Sequence, residues 1–118
     1  NGSISIDGGK IGRFFSAMFA AANPCVAGQG VLNGIGAGAV AHETRHELDF
    51  LRIGFPTSKA AEFRTELNAY KTESGVHQGL GLRTGLSSPE MTDEQRDAAV
   101  MRGAQASTDA WCAAGGPC

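Results

Sequence analysis

The sequence AVAHETRHELD, residues 39–49, contains two of the three histidines of the chain. His42 and His46 are four positions apart, and on an α-helix such side chains lie on one face, about one turn apart. Both imidazoles can therefore bind one metal ion while Glu43 flanks it. The alternative is an ordinary amphipathic helix whose polar residues face water. The pattern predicts a metal site in the middle of the chain.

A helix from about Ala39 to Ile53 is predicted around this motif. On a helical wheel the two histidines share one side with Asp49 and Ile53. Apolar residues also occupy the far side: Val40, Leu48 and Leu51. A simple surface helix would place its polar residues opposite its apolar ones, and this helix does not. We therefore predict that the histidine side is buried.

The residues before the motif helix predict a helix and a small amount of strand. Ser3–Asp7 alternates polar and apolar residues, which is typical of a short strand. Ile11–Ala22 repeats apolar residues with helical spacing. Val31–Ile35 is either a strand or, with a turn at Asn33-Gly34, a tight hairpin.

Two more helices are predicted after the motif helix. One runs from Lys59 to about Ser74, with Thr57 or Ser58 as its N-cap. Its buried stripe is predicted to contain Phe63, Leu67 and Tyr70. The glycine-rich residues 75–88 are predicted to form a loop that carries His77.

The last predicted helix begins at the capping box of Thr92–Gln95 and ends at about Ala113. Its packing residues are predicted to be Val100, Ala104 and Trp111, with Met101 beside them. The expected fold is mainly α with a small β element (α+β): a compact domain of about four helices, in which the motif helix packs on a ligand-bearing helix.

Length and composition limit the functional classes. The 118 residues and the net charge of −2 fit one globular domain, residues 1–118, and the scattered basic residues argue against nucleic acid binding. The apolar run within residues 10–22 is too short to cross a membrane. The start at Asn1-Gly2 suggests a domain excised from a larger parent protein. Three cysteines allow either one disulfide with a free thiol or a fully reduced chain.

A catalytic zinc site needs a third protein ligand beside the two histidines. Glu66 follows His46 by 20 positions, lies on the next predicted helix and is close to its buried face. Glu62 is the nearest rival, one turn earlier, and the helical wheel favours Glu66. Without the histidine pair, Glu66 would instead be read as an exposed helix carboxylate.

The remaining polar residues suggest catalytic roles around such a Zn²⁺ ion. Glu43 is expected to act as general base, taking a proton from water and delivering it to the leaving group. Tyr70 or His77 is a candidate for stabilising the oxyanion, although a core role for Tyr70 and a solvated position for His77 are the alternatives. Asp49 either accepts the second ring N–H of a ligand histidine or lies in solvent.

The motif His42-Glu43-x-x-His46, followed by ELNAY at residues 66–70, resembles the zincin metallopeptidases of the gluzincin type. That resemblance covers about thirty residues and implies a Glu ligand on a second helix. The metzincin pattern is not met, because Asp49 and Arg52 stand where that group has Gly and His. Thermolysin-like members have an Asp four residues after the ligand Glu, where this chain has Tyr70, so the residues expected to support the metal ligands differ from theirs.

A small glycine-rich domain with this motif is also similar to the C-terminal metallopeptidase toxin domains of bacterial polymorphic toxins and secretion-system effectors, such as those of Rhs proteins. This resemblance implies secretion or delivery into a target cell, a protein or peptide substrate there, and a cognate immunity protein. Two alternatives to a peptidase remain: a non-catalytic binding module with a structural or degenerate motif, and a zinc amidase acting on a non-protein substrate.

Overall fold

A computed structural model of the chain describes residues 29–118, and the side chains from residue 33 onwards. This part of the chain contains three helices: α1 (Gln29–Ile53), α2 (Lys59–Gly79) and α3 (Asp93–Ala113). The middle helix, α2, packs against both α1 and α3. None of the three helices is long and apolar enough to cross a bilayer.

The predicted α+β fold with about four helices is wrong, because residues 29–118 form three helices and no strand. Val31–Ile35, predicted as a strand or a hairpin, lies inside α1, which begins ten residues before the expected start. Gly34 explains part of this difference, because a Cβ there would lie 2.7 Å from a methyl group of Leu82. Close packing outweighs the low helix propensity of glycine. The predicted strand Ser3–Asp7 and helix Ile11–Ala22 lie outside the described residues.

The start of α2 is confirmed, whereas its end is not. The Ser58 hydroxyl caps the helix by accepting a hydrogen bond from the Ala61 amide at 3.1 Å. The helix continues past Gly75 to Gly79, so His77 is helical and fully buried rather than in a solvated loop. Contacts with residues 84–86 hold this last part, including a 2.9 Å hydrogen bond from the Ser74 hydroxyl to the Leu86 carbonyl.

The bounds of α3 agree with the predicted helix. The Thr92 hydroxyl accepts from the Gln95 amide at 3.1 Å, and the Gln95 side chain accepts from the Thr92 amide at 2.8 Å. Val100 and Ala104 are buried as predicted and Trp111 is half-buried, whereas Met101 is exposed. Just beyond the helix end, Cys118 is paired with Cys112 in a disulfide. Cys25 lies outside the described residues.

The buried face of α2 is more polar than predicted. Phe63, Leu67 and Tyr70 are only half-buried. The buried residues of the helix are instead polar, apart from Ala69: Glu62, Thr65, Glu66, Glu73, Ser74 and His77. Because a buried carboxylate is costly without a partner, this acidic face indicates that α2 packs against groups of opposite charge or hydrogen-bond donors.

Candidate metal centre

The two histidines of α1 and one glutamate of α2 converge at a single point. The Nε2 atoms of His42 and His46 are 3.2 Å apart. The Oε2 atom of Glu66 lies 3.3 Å from Nε2 of His42 and 3.2 Å from Nε2 of His46. All three side chains are buried. These residues are the three that the sequence predicts as metal ligands.

The dimensions of this triangle fit a tetrahedral metal ion. With bonds of about 2.0–2.1 Å, two ligand atoms of a tetrahedral zinc site lie about 3.3–3.4 Å apart. The three observed edges of 3.2, 3.2 and 3.3 Å are close to that spacing. Oε2 of Glu66 is buried and has no neighbour in hydrogen-bond geometry. The donor set of two imidazoles and one carboxylate is one that zinc binds in hydrolases.

The charge balance of the site shows how tightly these groups interact. Burial by itself lowers the pKa of His42, but the adjacent carboxylates of Glu66 and Glu73 outweigh this effect and raise the pKa to about 9. Burial by itself raises the pKa of Glu66, but its contacts with His42 and His46 outweigh this and hold the pKa well below its ordinary value. Without a metal, a proton on His42 therefore supplies the positive charge that the carboxylates require.

Glu73 is a residue of this candidate site that the sequence analysis does not identify. Nδ1 of His42 donates to Oε1 of Glu73 at 2.9 Å, and the glutamate is fully buried. A carboxylate on this nitrogen orients the ring, so that Nε2 is directed at Glu66 and His46. In the gluzincin pattern the fourth residue after the ligand Glu is the supporting acid, whereas Glu73 is the seventh residue after Glu66, two turns along the same face of α2. The seven-residue spacing of Glu66 and Glu73 is the sequence pattern that could have identified Glu73.

His77 lies behind Glu73 and not at the ligand triangle. Its Nδ1 is 2.8 Å from the Thr84 hydroxyl, and its Nε2 is 3.9 Å from Oε2 of Glu73. The ring is fully buried, and burial lowers its pKa. Both nitrogens face protein groups. This position favours a supporting role for His77 over contact with an oxyanion.

Tyr70 packs directly against His42, the first of the predicted ligands. The ring centroids of Tyr70 and His42 are 4.6 Å apart in an edge-to-face arrangement. The Tyr70 hydroxyl is hydrogen-bonded to the Ser107 hydroxyl of α3 at 2.8 Å. A Cβ on Gly103 would lie 2.9 Å from the tyrosine ring, so glycine at this position lets α3 approach. Tyr70 thus connects α3 to the group of His42, His46 and Glu66.

The two other glutamates considered from the sequence are both buried. Glu43, the predicted general base, follows the first ligand on α1 and is only 6 % exposed. Its charge is one of those that raise the pKa of Glu73, after the larger effect of burial. Glu62, the rival third ligand, is also buried but is not part of the convergent group, which contains Glu66.

Asp49 connects α1 to α2 without contacting a ligand histidine. Its carboxylate accepts from Nε of Arg45 at 3.1 Å and from the Asn68 amide at 3.2 Å. It is buried, so neither the histidine contact nor the solvent-exposed position is observed. Nδ1 of His46 has no hydrogen-bond partner within the described part of the chain, and the ring stacks on Phe50.

Comparison with known proteins finds no relative of this chain. No protein-family model matches the chain, and neither the curated proteins nor the solved structures contain a significant match.

Proposed function

We propose that this chain is a zinc-dependent metallopeptidase whose metal is held by His42, His46 and Glu66. The observation that carries the proposal is the triangle of three buried donor atoms with edges of 3.2–3.3 Å. Catalytic zinc sites use three protein ligands and keep a fourth position for water or substrate. The number and kind of these ligands support a catalytic site, and the adjacent Glu43 supplies the acid–base group.

The proposed chemistry divides between the ion and Glu43. When bound, zinc polarises the scissile carbonyl and makes water a better nucleophile at neutral pH. Glu43 accepts the proton of the attacking water and later delivers it to the leaving nitrogen. Glu43 directly follows His42 on α1, and its charge acts on Glu73 and Tyr70, which both contact His42. Glu73 holds the ring of His42, so that the ligand nitrogen keeps its direction.

A non-catalytic zinc site that stabilises the fold is the second candidate. The nearly complete burial of His42, His46 and Glu66 favours it, since structural zinc sites are closed to solvent. The two candidates differ in what Glu43 does. In a structural site this residue contributes only packing and charge, whereas in a peptidase its loss abolishes turnover.

The test compares Glu43→Gln with Glu47→Gln, a matched change one turn further along α1. Zinc content is measured by mass spectrometry. Hydrolysis is measured with two substrates, an unfolded protein and a mixed peptide library. We expect one zinc per chain in the wild type and both variants, and a loss of hydrolysis of at least about 100-fold in Glu43→Gln alone.

The outcomes separate the proposals. If the wild type binds no zinc, the metal centre is rejected. If zinc binds but Glu43→Gln cleaves peptides as the wild type does, Glu43 is not the base. If zinc binds, no peptide is cleaved and His46→Ala unfolds the domain, the structural site is the better description. Cleavage of cell-wall amides without peptide cleavage would indicate the amidase.

The resemblance to C-terminal toxin domains extends this proposal to the place where the enzyme acts. We propose that the domain acts inside a target cell and that the producer protects itself with an immunity protein that covers the site. Expression in the bacterial cytoplasm tests this. Wild-type protein is expected to stop growth, and Glu43→Gln at the same level is expected to be tolerated; equal growth of the two strains would remove the toxin proposal.

A further inference from the structure

We propose that Thr84 and His77 are positioning residues for the metal ligand His42 and act on it through Glu73. The four side chains form a continuous line from the α2–α3 connection to the metal centre. The inference rests on the proposed metal site and extends it to residues outside α1 and the ligand glutamate.

The hydrogen bonds of Thr84 decide which way its hydroxyl proton points. Oγ1 accepts from the backbone amides of Leu86 and Ser87, each at 3.2 Å, and these two bonds use both lone pairs. The proton then has two acceptors within reach: Nδ1 of His77 at 2.8 Å and the Ser87 carbonyl at 3.3 Å. That carbonyl already accepts from the Thr84 amide at 2.8 Å. The shorter contact takes the proton, so Thr84 donates to His77.

This donation determines the tautomer of His77. An imidazole nitrogen that accepts a hydrogen bond carries no proton, so the proton of neutral His77 lies on Nε2. Nε2 faces Oε2 of Glu73 at 3.9 Å. That distance exceeds a hydrogen bond, but both atoms are fully buried, where a dipole and a charge interact more strongly than in water. Neither atom has another hydrogen-bond partner in the described part of the chain.

The orientation of the Glu73 carboxylate in turn fixes the orientation of the His42 ring. With Oε2 held toward His77, Oε1 faces α1 and accepts from Nδ1 of His42 at 2.9 Å. The proton of neutral His42 is then on Nδ1, and the lone pair of Nε2 points to His46 and Glu66. The opposite tautomer of His77 would place a lone pair against the carboxylate and repel it. The turn at residues 84–87 therefore sets the direction of a metal-ligating lone pair on another helix.

The packing leaves His77 little freedom to take another position. A Cβ on Gly38 of α1 would lie 2.5 Å from Nε2 of His77 and 3.3 Å from Cγ of Glu73. Only glycine at this position lets α1 approach both side chains so closely. The close approach of α1 limits the movement of both side chains.

The first test measures the tautomer directly in the metal-free protein. Long-range ¹H–¹⁵N correlation spectra at pH 7.5, where His77 is neutral, distinguish a protonated from an unprotonated ring nitrogen. We expect the proton on Nε2 in the wild type and a mixture of tautomers in Thr84→Val. A wild-type proton on Nδ1 would overturn the inference, and this result does not depend on zinc binding.

The second test measures zinc affinity by competition with a chromophoric chelator. Loss of an outer partner of a metal ligand typically weakens binding about 10–100-fold, and we expect the lower end for Thr84→Val because it acts through two residues. Thr84→Ser keeps the hydroxyl and is expected to bind zinc as the wild type does. The visible spectrum of the Co²⁺ form should shift in Thr84→Val and not in Thr84→Ser, since the orientation of His42 changes.

A double-mutant cycle separates positioning from simple support of the turn. His77→Gln places an amide donor near the position of Nε2 that needs no help from Thr84. In that background Thr84→Val should have little further effect on zinc affinity. If Thr84→Val weakens zinc binding equally in both backgrounds, or leaves it unchanged in the wild type, Thr84 is not a positioning residue. A wild type that binds no zinc instead rejects the proposed function, while the tautomer measurement still decides the orientation of His77.

Discussion

The two helix interfaces of α2 differ in the chemistry of the residues that they bury. Toward α1 the interface buries ionisable side chains, among them His42, His46, Glu66 and Glu73. Toward α3, the residues that α3 itself buries are small: Ala99, Val100, Ala104 and Thr108. Tyr70 of α2 adds a hydrogen bond between its hydroxyl and that of Ser107 at 2.8 Å. One helix therefore packs by two different means.

The difference shows which interface depends on something beyond packing. Small apolar residues are stabilised by their removal from water, whatever the pH or the metal content. Buried carboxylates and imidazoles are stable only with a compensating charge, which here is either a proton on His42 or a metal ion. The α1–α2 interface should therefore respond to metal and pH, and the α2–α3 interface should not.

Metal removal should produce the largest difference in stability between the two interfaces. Zinc at about 1,000 times its Kd stabilises the native state by about 4 kcal/mol, and a chelator removes that stabilisation. Amide hydrogen exchange should then become faster in α1 than in α2 or α3. His46→Ala should abolish the response, whereas Glu47→Gln should retain it. Uniform loss of protection across all three helices would contradict the comparison.

The pH dependence of the metal-free protein should be the next largest effect. Because the pKa of His42 is raised from about 6.5 to about 9, its contribution is fully present below pH 6.5 and is lost as the pH rises through 9. At about 1.4 kcal/mol for each pKa unit, the free energy of unfolding should fall by on the order of 3 kcal/mol over this window. Denaturant titrations at several pH values measure the slope.

Two further measurements check the origin of that slope. Glu73→Gln should make it shallower, because one of the two carboxylates that raise the pKa of His42 is lost. Zinc affinity should rise over the same window, since His42 must release its proton to bind the metal. Stability of the metal-free protein that increases between pH 6.5 and 9 would have the wrong sign.

Ala104→Leu should destabilise the α2–α3 interface without affecting the α1–α2 interface. Ala104 is fully buried on α3, and overpacking of this kind costs about 1–3 kcal/mol. We expect a lower free energy of unfolding with unchanged zinc affinity. Met101→Leu, on the exposed side of α3, is the matched control and should change stability by less than about 0.5 kcal/mol. A loss of zinc affinity in Ala104→Leu would show that the interfaces are coupled.

Two glycine substitutions should have small effects of opposite sign. Gly38→Ala places a Cβ against the buried His77 ring, so overpacking of about 1–3 kcal/mol exceeds the helix-propensity gain of about 1 kcal/mol. Gly75→Ala has open space around the new Cβ and should stabilise α2 by about 1 kcal/mol. Chemical denaturation of the metal-free proteins measures both. Stabilisation by Gly38→Ala would mean that the α1–α2 packing is looser than the structure shows.

Glycine is the residue for which sequence and structure disagree most. By sequence, Gly34 predicts a hairpin turn and Gly75 a loop, but both residues lie inside helices. Propensity describes a glycine in isolation, whereas its effect in a packed helix depends on what approaches it. Gly34 admits Leu82, and Gly38 admits His77. The helix limits of α1 and α2 therefore depended on contacts that local sequence does not contain.

The sequence by itself determined the placement of His42, Glu43 and His46 on one helix, since helical geometry brings residues four apart to one face. It also placed Glu66 on the following helix, and the structure brings that residue to within 3.3 Å of both histidines. Only the tertiary structure decided the partners of these groups, namely Glu73 on His42 and Thr84 on His77. The packing of α1 on α2 creates the first pair, which is 31 residues apart, and the turn after α2 creates the second, which is seven residues apart. No helical periodicity in the sequence contains either pair.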